Sequence, residues 1–330
     1  MTSLAIEYKR WDISMQILQW LLSKSNKKYE IKNIYERYLL NSANISTDDA
    51  VFTIKPLDHF IYKNMIRELQ EKQIVSNKKK AIKIAKHVQY CVNKFFELPT
   101  KKAPKVIQKK NLFICGDFSR KISIDRLSKW QDISKKVIMK MLLRYASMAL
   151  GGQQWHVPSK WYKWIIKKYD TNIEGFASPL NSQLILYKKD PKFGSLFIDT
   201  DKPFGSIGNI FDVDHKLLRG KTMVNNPPFV LEIMDKLCKY QHKLLAKIKL
   251  RIILIVPEWI DTYYYKKSMK SKYLVCDEYL ATNNYYYETE SNSGKKIRII
   301  ARFGSHVFVL SSFPNESSKK YKDITKYFKL

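Results

Sequence analysis

Acidic residues are scarce in this chain. Thirty Asp and Glu face 60 Lys and Arg across 330 residues, a formal net charge of +30. That imbalance points to a polyanionic partner, nucleic acid before any other. Lys far outnumbers Arg, and Asn, Ile and Tyr are abundant, as AT-rich codon usage produces. Such bias explains Lys in place of Arg, but not the missing acids. Cysteine is sparse as well. Cys91, Cys115, Cys238 and Cys276 lie far apart, with no CxxC pair and no His at zinc-ligand spacing, so reduced thiols are expected. No apolar run approaches the ~20 residues that span a bilayer. Glu7, Lys9 and Arg10 interrupt the stretch that a signal peptide would occupy. The expected location is therefore nuclear or cytoplasmic, and not secreted. His59, His87, His156, His215, His242 and His306 do not cluster, and no metal is expected. No Gly-x-Ser-x-Gly elbow, Gly-Lys-Ser/Thr phosphate loop or internal repeat is present.

Hydrophobic residues make up 45% of the chain, enough for a full core in one or two domains. From Trp11 to about Phe96 the pattern is helical. Ile13, Ile17, Trp20 and Leu21 recur at three- and four-residue steps, as do Ile61, Met65 and Leu69, and a further run carries Ile82, Ile84 and Val88. The Pro- and Lys-rich stretch 98–105 reads as a linker. The expected division is a basic helical domain, 1–110, and an α/β domain, 111–330. Within the second, a helix over 135–150 is stopped by Gly151-Gly152. Strands are predicted at 172–176, 195–198, 210–213, 222–225, 251–256, 273–275, 297–301 and 307–310. Helices are predicted at 158–169, 181–188 and 228–246. This alternation implies a mostly parallel sheet covered on both faces, with an antiparallel edge from the late strands. Ligands of such sheets sit beyond the carboxyl ends of the strands.

Asn226-Pro227-Pro228-Phe229 falls at such an end, after Val224. A turn of this composition suits methylation of an exocyclic adenine amine. The side-chain oxygen of Asn226 and a proline carbonyl can each accept one N–H, which draws the nitrogen toward tetrahedral geometry. The prolines keep the acceptors rigid, and Phe229 offers a face for an extruded base. The same tetrapeptide is also compatible with a plain Asn-Pro turn. The stretch Glu174-Gly175-Phe176-Ala177-Ser178-Pro179-Leu180-Asn181 ends the first predicted strand and opens a helix, the usual place for a nucleotide-type cofactor; it also suits an ordinary capped loop. Asp199 and Asp212 end strand-like runs, where an acid can accept from a ribose or amine or simply form a turn. Pro257-Glu258-Trp259 ends the most apolar strand, placing an acid beside a Trp that either stacks on a cationic purine or packs over the sheet end. Tyr263-Tyr264-Tyr265-Lys266-Lys267 reads as an exposed aromatic and lysine loop, suited to single-stranded nucleic acid or to solvent.

Taken in order, Gly151-Gly152-Gln153-Gln154-Trp155, Phe176 to Asn181, Asp199-Thr200-Asp201, Phe204 to Gly208, Asn226 to Phe229 and Pro257-Glu258-Trp259 resemble the cap-specific adenosine N6-methyltransferase family, whose animal member is the phosphorylated-CTD-interacting factor. Six blocks in sequence order span roughly residues 145 to 310. The resemblance implies a Rossmann-like methyltransferase domain beside a helical domain, S-adenosyl-L-methionine as methyl donor and capped mRNA as substrate. The target it implies is N6 of a 2′-O-methyladenosine next to the 7-methylguanosine cap. By that similarity Asn226 to Phe229 contact donor and target base, and Trp259, Ile260 and Asp261 belong to the cap-binding region. The family has acids directly after the Asn-Pro-Pro-Phe block; Leu231 stands at the first of these positions and Glu232 keeps the second. The animal protein also has a WW module. Trp11 and Trp20 lie on a helical pattern and too close together for that module's pair, so WW-mediated binding of polymerase tails is not expected. The Lys-, Asn- and Ile-rich composition suggests a large DNA virus, with a viral-factory location, or an AT-rich protist.

The leading expectation is a cap-proximal RNA adenine-N6 methyltransferase in which the 176–181 loop, Asp199 and Asp212 hold the donor. The alternatives are an N6-adenine methyltransferase of internal RNA or DNA, and a catalytically inactive RNA-binding subunit.

Overall fold

The computed structural model describes residues 2–149 and 154–329. The Gly151-Gly152 helix stop and Gln153 lie outside the described residues. The chain forms two compact units: residues 1–121 with 132–152, and residues 122–131 with 153–330.

The first unit holds helices α1 (Leu4–Leu22), α2 (Lys28–Ile45), α3 (Phe60–Glu71) and α4 (Lys78–Glu97). Ser3 caps α1 through the Ile6 amide and Asn77 caps α4 through the Lys80 amide at 2.9 Å. Ile13, Ile17 and Leu21, and likewise Ile61, Met65 and Leu69, are buried as their spacing predicts, while Trp20 is half-buried and stacks on His87. The stretch 98–105 has neither helix nor strand. It leads into an unforeseen antiparallel meander of β1 (Val106–Lys109), β2 (Leu112–Cys115) and β3 (Phe118–Lys121). These strands are too short to show a two-residue period. After α5 (Ile124–Leu127), which belongs to the second unit, α6 (Lys135–Ser147) returns to the first and packs on α1. At that contact Glu7 is fully buried between Arg10 and Arg144, with Arg144 Nη2 at 2.6 Å. Charges buried this way persist only when paired.

The second unit continues with α7 (Ser159–Tyr169), β4 (Thr171–Glu174), α8 (Leu184–Tyr187), β5 (Lys192–Phe193), α9 (Ile198–Asp201), α10 (His215–Leu218), β6 (Thr222–Asn225), α11 (Leu231–Lys247), β7 (Arg251–Pro257), α12 (Tyr263–Met269), β8 (Leu274–Leu280), β9 (Tyr286–Glu290), β10 (Lys296–Ile300) and β11 (Ser305–Ser311). Six strands form one sheet in the order β5-β4-β6-β7-β11-β8. β5, β4, β6 and β7 pair in parallel, and β11 runs antiparallel to both its neighbours. Alternation along β7 fills two cores. Ile253 and Ile255 join Val224, Val307, Val309 and the α7 residues Trp161 and Ile165 on one face. Ile252, Leu254 and Val256 join Met223, Phe308 and the α11 residues Met234, Leu237 and Leu244 on the other.

The late strands do form an antiparallel edge: β8 takes the edge and pairs antiparallel with β11, whose seven residues are all buried. Several expectations need correction. Residues 195–198 and 210–213 are not strands. Phe197's carbonyl accepts the amides of Thr200 and Asp201, winding the chain into α9, and Asn209 caps a 3-10 turn at Ile210–Asp212. Asp199 and Asp212 therefore sit in short helical turns rather than at strand ends. The helix expected at 181–188 shrinks to α8. Strand 297–301 exists as β10, but it pairs with the unforeseen β9 in a hairpin outside the main sheet. The Tyr263–Lys267 segment is helix α12 rather than a loop. Tyr264 belongs to the core, whereas Tyr263 is exposed.

Candidate active site

The chain leaves β4 for β5 on one side and returns to β6 on the other. The carboxyl ends of β4 and β6 therefore flank a topological switch point, where sheets of this kind leave a crevice. The loop after β4 and the Asn-Pro-Pro-Phe corner after β6 both begin there, joined by the Gly175 amide on the Val224 carbonyl at 2.8 Å.

The β4 loop is held by buried polar groups at both ends. The Glu174 carboxylate accepts from Ser182 Oγ at 2.8 Å and from the Gln183 amide at 3.0 Å. Burial raises its pKa, against hydrogen bonds from Ser182, Tyr162 and two backbone amides. Those amides belong to Gln183 and Leu184, which explains why α8 starts late. Arg126, fully buried, donates through Nη1 to the carbonyls of Pro179 at 3.0 Å and Ser182 at 2.9 Å. Its Nε reaches Glu290 Oε1 at 3.4 Å. Between these anchors Asn181 Oδ1 accepts the Ser178 amide at 2.7 Å, and the Ala177 amide binds the Gly194 carbonyl. Phe176 meets Phe211, whose neighbour Asp212 is exposed. Gly175 allows the closest approach. A methyl group there would collide with Oδ1 of Asn225.

Asn225 is fully buried, and neither of its amide atoms has a hydrogen-bond partner. Next to it, Asn226 donates from Nδ2 to the Trp155 carbonyl at 3.3 Å, while its Oδ1 is covered and unpartnered. A carbonyl can only accept, so this bond fixes which way the Asn226 amide faces. Orphaned buried polar atoms are rare in folded proteins. Three adjoin the switch point, so the residues present fit a polar ligand there. The corner itself is not sealed: Asn226, Pro228 and Phe229 are half-buried, and Pro227 is buried. The Pro228 carbonyl already accepts the Val230 amide at 2.7 Å. Phe229 packs edge-on against Tyr287 and Phe303 at 5.9 and 5.7 Å, and Trp155 stacks on Tyr287 at 6.0 Å.

A family model described as the phosphorylated CTD interacting factor 1 WW domain matches residues 119–290, more than half of the chain. The chain belongs to this family. Its matched stretch holds β4, β6 and β7 and both loops of the switch point. A mouse protein named mRNA (2'-O-methyladenosine-N(6)-)-methyltransferase is 34% identical over 127 residues, covering 36% of this chain but 17% of the mouse protein.

In this family member Glu258, Trp259, Ile260 and Asp261 follow β7, the strand next to β6. Trp259 is 38% exposed, and Ile260 and Asp261 more so. Glu232 lies exposed in the first turn of α11, after exposed Leu231. Asp199 is half-buried in α9. Sequence reasoning assigned no role to Arg126 or Asn225, and took Glu174 only as the start of the cofactor loop. A polar residue closing a buried strand was the available signal for Asn225. For Arg126 it was an arginine kept in a lysine-rich chain.

Among the described residues no group of three or more His, Cys, Asp or Glu is placed to hold a metal ion. No described helix is long and apolar enough to cross a membrane.

Proposed function

We propose that this chain transfers a methyl group from S-adenosyl-L-methionine to N6 of the adenosine next to the cap of mRNA. The observation that carries the reading is the amide of Asn226 at the carboxyl end of β6, whose Nδ2 is held by the Trp155 carbonyl and whose oxygen is left unpartnered. When bound, the donor supplies a methyl group on a positively charged sulfur. The loop Phe176, Ala177, Ser178, Pro179 and Asn181, with Asp199 and Asp212, holds it.

The chain then has to make a poor nucleophile react. Asn226 Oδ1 accepts one amine hydrogen. Of the two proline carbonyls, that of Pro227 is favoured for the other, because Pro228's is taken by Val230. Both acceptors are fixed beforehand, so little reorganisation opposes the reaction. Phe229 stacks the base, and Asn226 and Phe229 face donor and target together. Because Asn226 Oδ1 is covered, the entering base displaces the side chains around it. The amine nitrogen would become cationic as its bond to the methyl group forms and the sulfur–methyl bond of the donor breaks, and it would then shed one proton to solvent, so no tuned general base is required.

The mouse relative's name supports the cap-adjacent target. Exposed Trp259, with Ile260 and Asp261 after it and Glu232 on α11, supports a purine cap held at the strand ends. The basic excess supports RNA as partner. The resemblance supports a second reading, adenine within RNA or DNA, because it implies an acid at the position that Leu231 occupies.

Incubation with labelled donor and RNAs that differ only at the 5′ end, followed by nucleoside identification, separates these. N6 methylation confined to the capped RNA is expected. Equal methylation of capped and uncapped RNA assigns the second reading, and labelling of another base excludes both.

A further inference from the structure

Gln154 and Trp155 are short of an assigned task, although they end one of the sequence blocks that carry the family resemblance. They touch both halves of the site. Gln154 Oε1 lies 2.8 Å from Ser178 Oγ, in the loop after β4. The next carbonyl, that of Trp155, accepts from Asn226 Nδ2 in the corner after β6. The pair is itself tied down. His156 exchanges both backbone hydrogen bonds with Glu288 of β9, each at 2.8 Å, and the Trp155 ring stacks on buried Tyr287. Ser159 at the start of α7 adds its amide and hydroxyl to the Glu288 carboxylate at 3.0 and 2.6 Å. A two-residue strap anchored on β9 thus spans from the donor loop to the catalytic corner.

We propose that Gln154 and Trp155 are positioning residues of the methyltransferase site: Gln154 sets Ser178 in the donor loop, and the Trp155 carbonyl sets the face that Asn226 presents to the target base. This rests on the methyltransferase reading above. Ser178 has one hydroxyl hydrogen and two acceptors in range, Gln154 Oε1 and Asn181 Oδ1 at 3.0 Å. Gln154 draws that hydrogen outward and leaves Asn181 Oδ1 to the Ser178 amide. At the corner, rotation of the Asn226 amide by half a turn would set its oxygen against the Trp155 carbonyl. The repulsion between two acceptors holds the productive face.

The test measures S-adenosylhomocysteine binding by calorimetry for the full chain and for Gln154→Leu, Ser178→Ala and the double variant, with thermal midpoints as a fold check. Each single change is expected to weaken binding about tenfold, the worth of one hydrogen bond, and the double no further. Turnover at saturating donor is read in Trp155→Phe, which keeps the carbonyl and most of the ring contact, and in Trp155→Gly, which frees the backbone. Trp155→Gly is expected to turn over at least about ten times more slowly than Trp155→Phe, with the same donor affinity in both. Additive losses in the double variant, or equal turnover in Trp155→Phe and Trp155→Gly, would overturn the proposal. Absence of donor binding by the wild-type chain would instead remove the methyltransferase reading.

Discussion

Ten of the 60 basic residues are arginines, and three of these, Arg10, Arg126 and Arg144, are among the largest fully buried side chains. Where the head is buried, a planar fork that meets several acceptors at once cannot be exchanged for an ammonium. Arg126 shows the consequence. It binds two loop carbonyls and Glu290, and burial lowers its pKa against the pull of that carboxylate. Arg126→Met is expected to destabilise the chain by about 3–5 kcal/mol, because it leaves Glu290 and both carbonyls short of a partner. Arg126→Lys should recover less than half of that. Urea denaturation measures both; a loss under about 1 kcal/mol for the methionine variant would contradict this account. Asn226 was a readable candidate in the sequence because two prolines and an aromatic follow it. The role of Arg126 was not, since its partners lie 53 to 164 residues away.

At the scale of elements, legibility followed burial. β6, β7 and β11 were readable because their apolar runs are buried on both faces. The region 192–213 was not. Its turns are set by distant groups, such as the Gly194 amide on the Glu174 carbonyl and Ser195 Oγ against Ser206 Oγ at 2.7 Å, which leave no periodic trace. Nor could the sequence say that β10 pairs outside the sheet, because an edge strand and a hairpin strand share one pattern. The close approach of the loops at the switch point depends on glycine just after β4. Gly175→Ala is expected to push Asn225 from its place and weaken S-adenosylhomocysteine binding by at least about tenfold. Gly220→Ala is the control. A methyl group there meets nothing within 4 Å, so only its φ of +74° carries a cost, about 1 kcal/mol of stability. Calorimetry on the two variants decides, and wild-type affinity in Gly175→Ala would contradict the close fit.

At the scale of the whole molecule, acid should loosen the fold through the anchor of the strap. Burial, more than any other cause, lowers the pKa of His156 to about 4, and its Nδ1 donates to the Val157 carbonyl at 2.8 Å. In the unfolded chain a histidine takes up its proton near pH 6.5. Below that pH the unfolded state binds a proton that the folded state refuses, so stability falls as pH drops toward 4. Between pH 7 and pH 5 the loss from this group is on the order of 2 kcal/mol. Glu288 works in the same direction at lower pH: burial raises its pKa, but hydrogen bonds from Ser159 outweigh that and hold it below the usual range. Glu174, with its raised pKa, opposes them. Comparing the chain with His156→Asn isolates the histidine, and the variant's stability is expected to change less between pH 7 and 5. Equal slopes would contradict the assignment. The central claim, that the corner after β6 grips an adenine amine, is met most directly by Asn226→Ala. The thermal midpoint should match wild type and donor affinity should weaken by no more than about tenfold, the worth of one contact, while turnover on capped RNA falls at least about a hundredfold. A variant that methylates at the wild-type rate would contradict the claim.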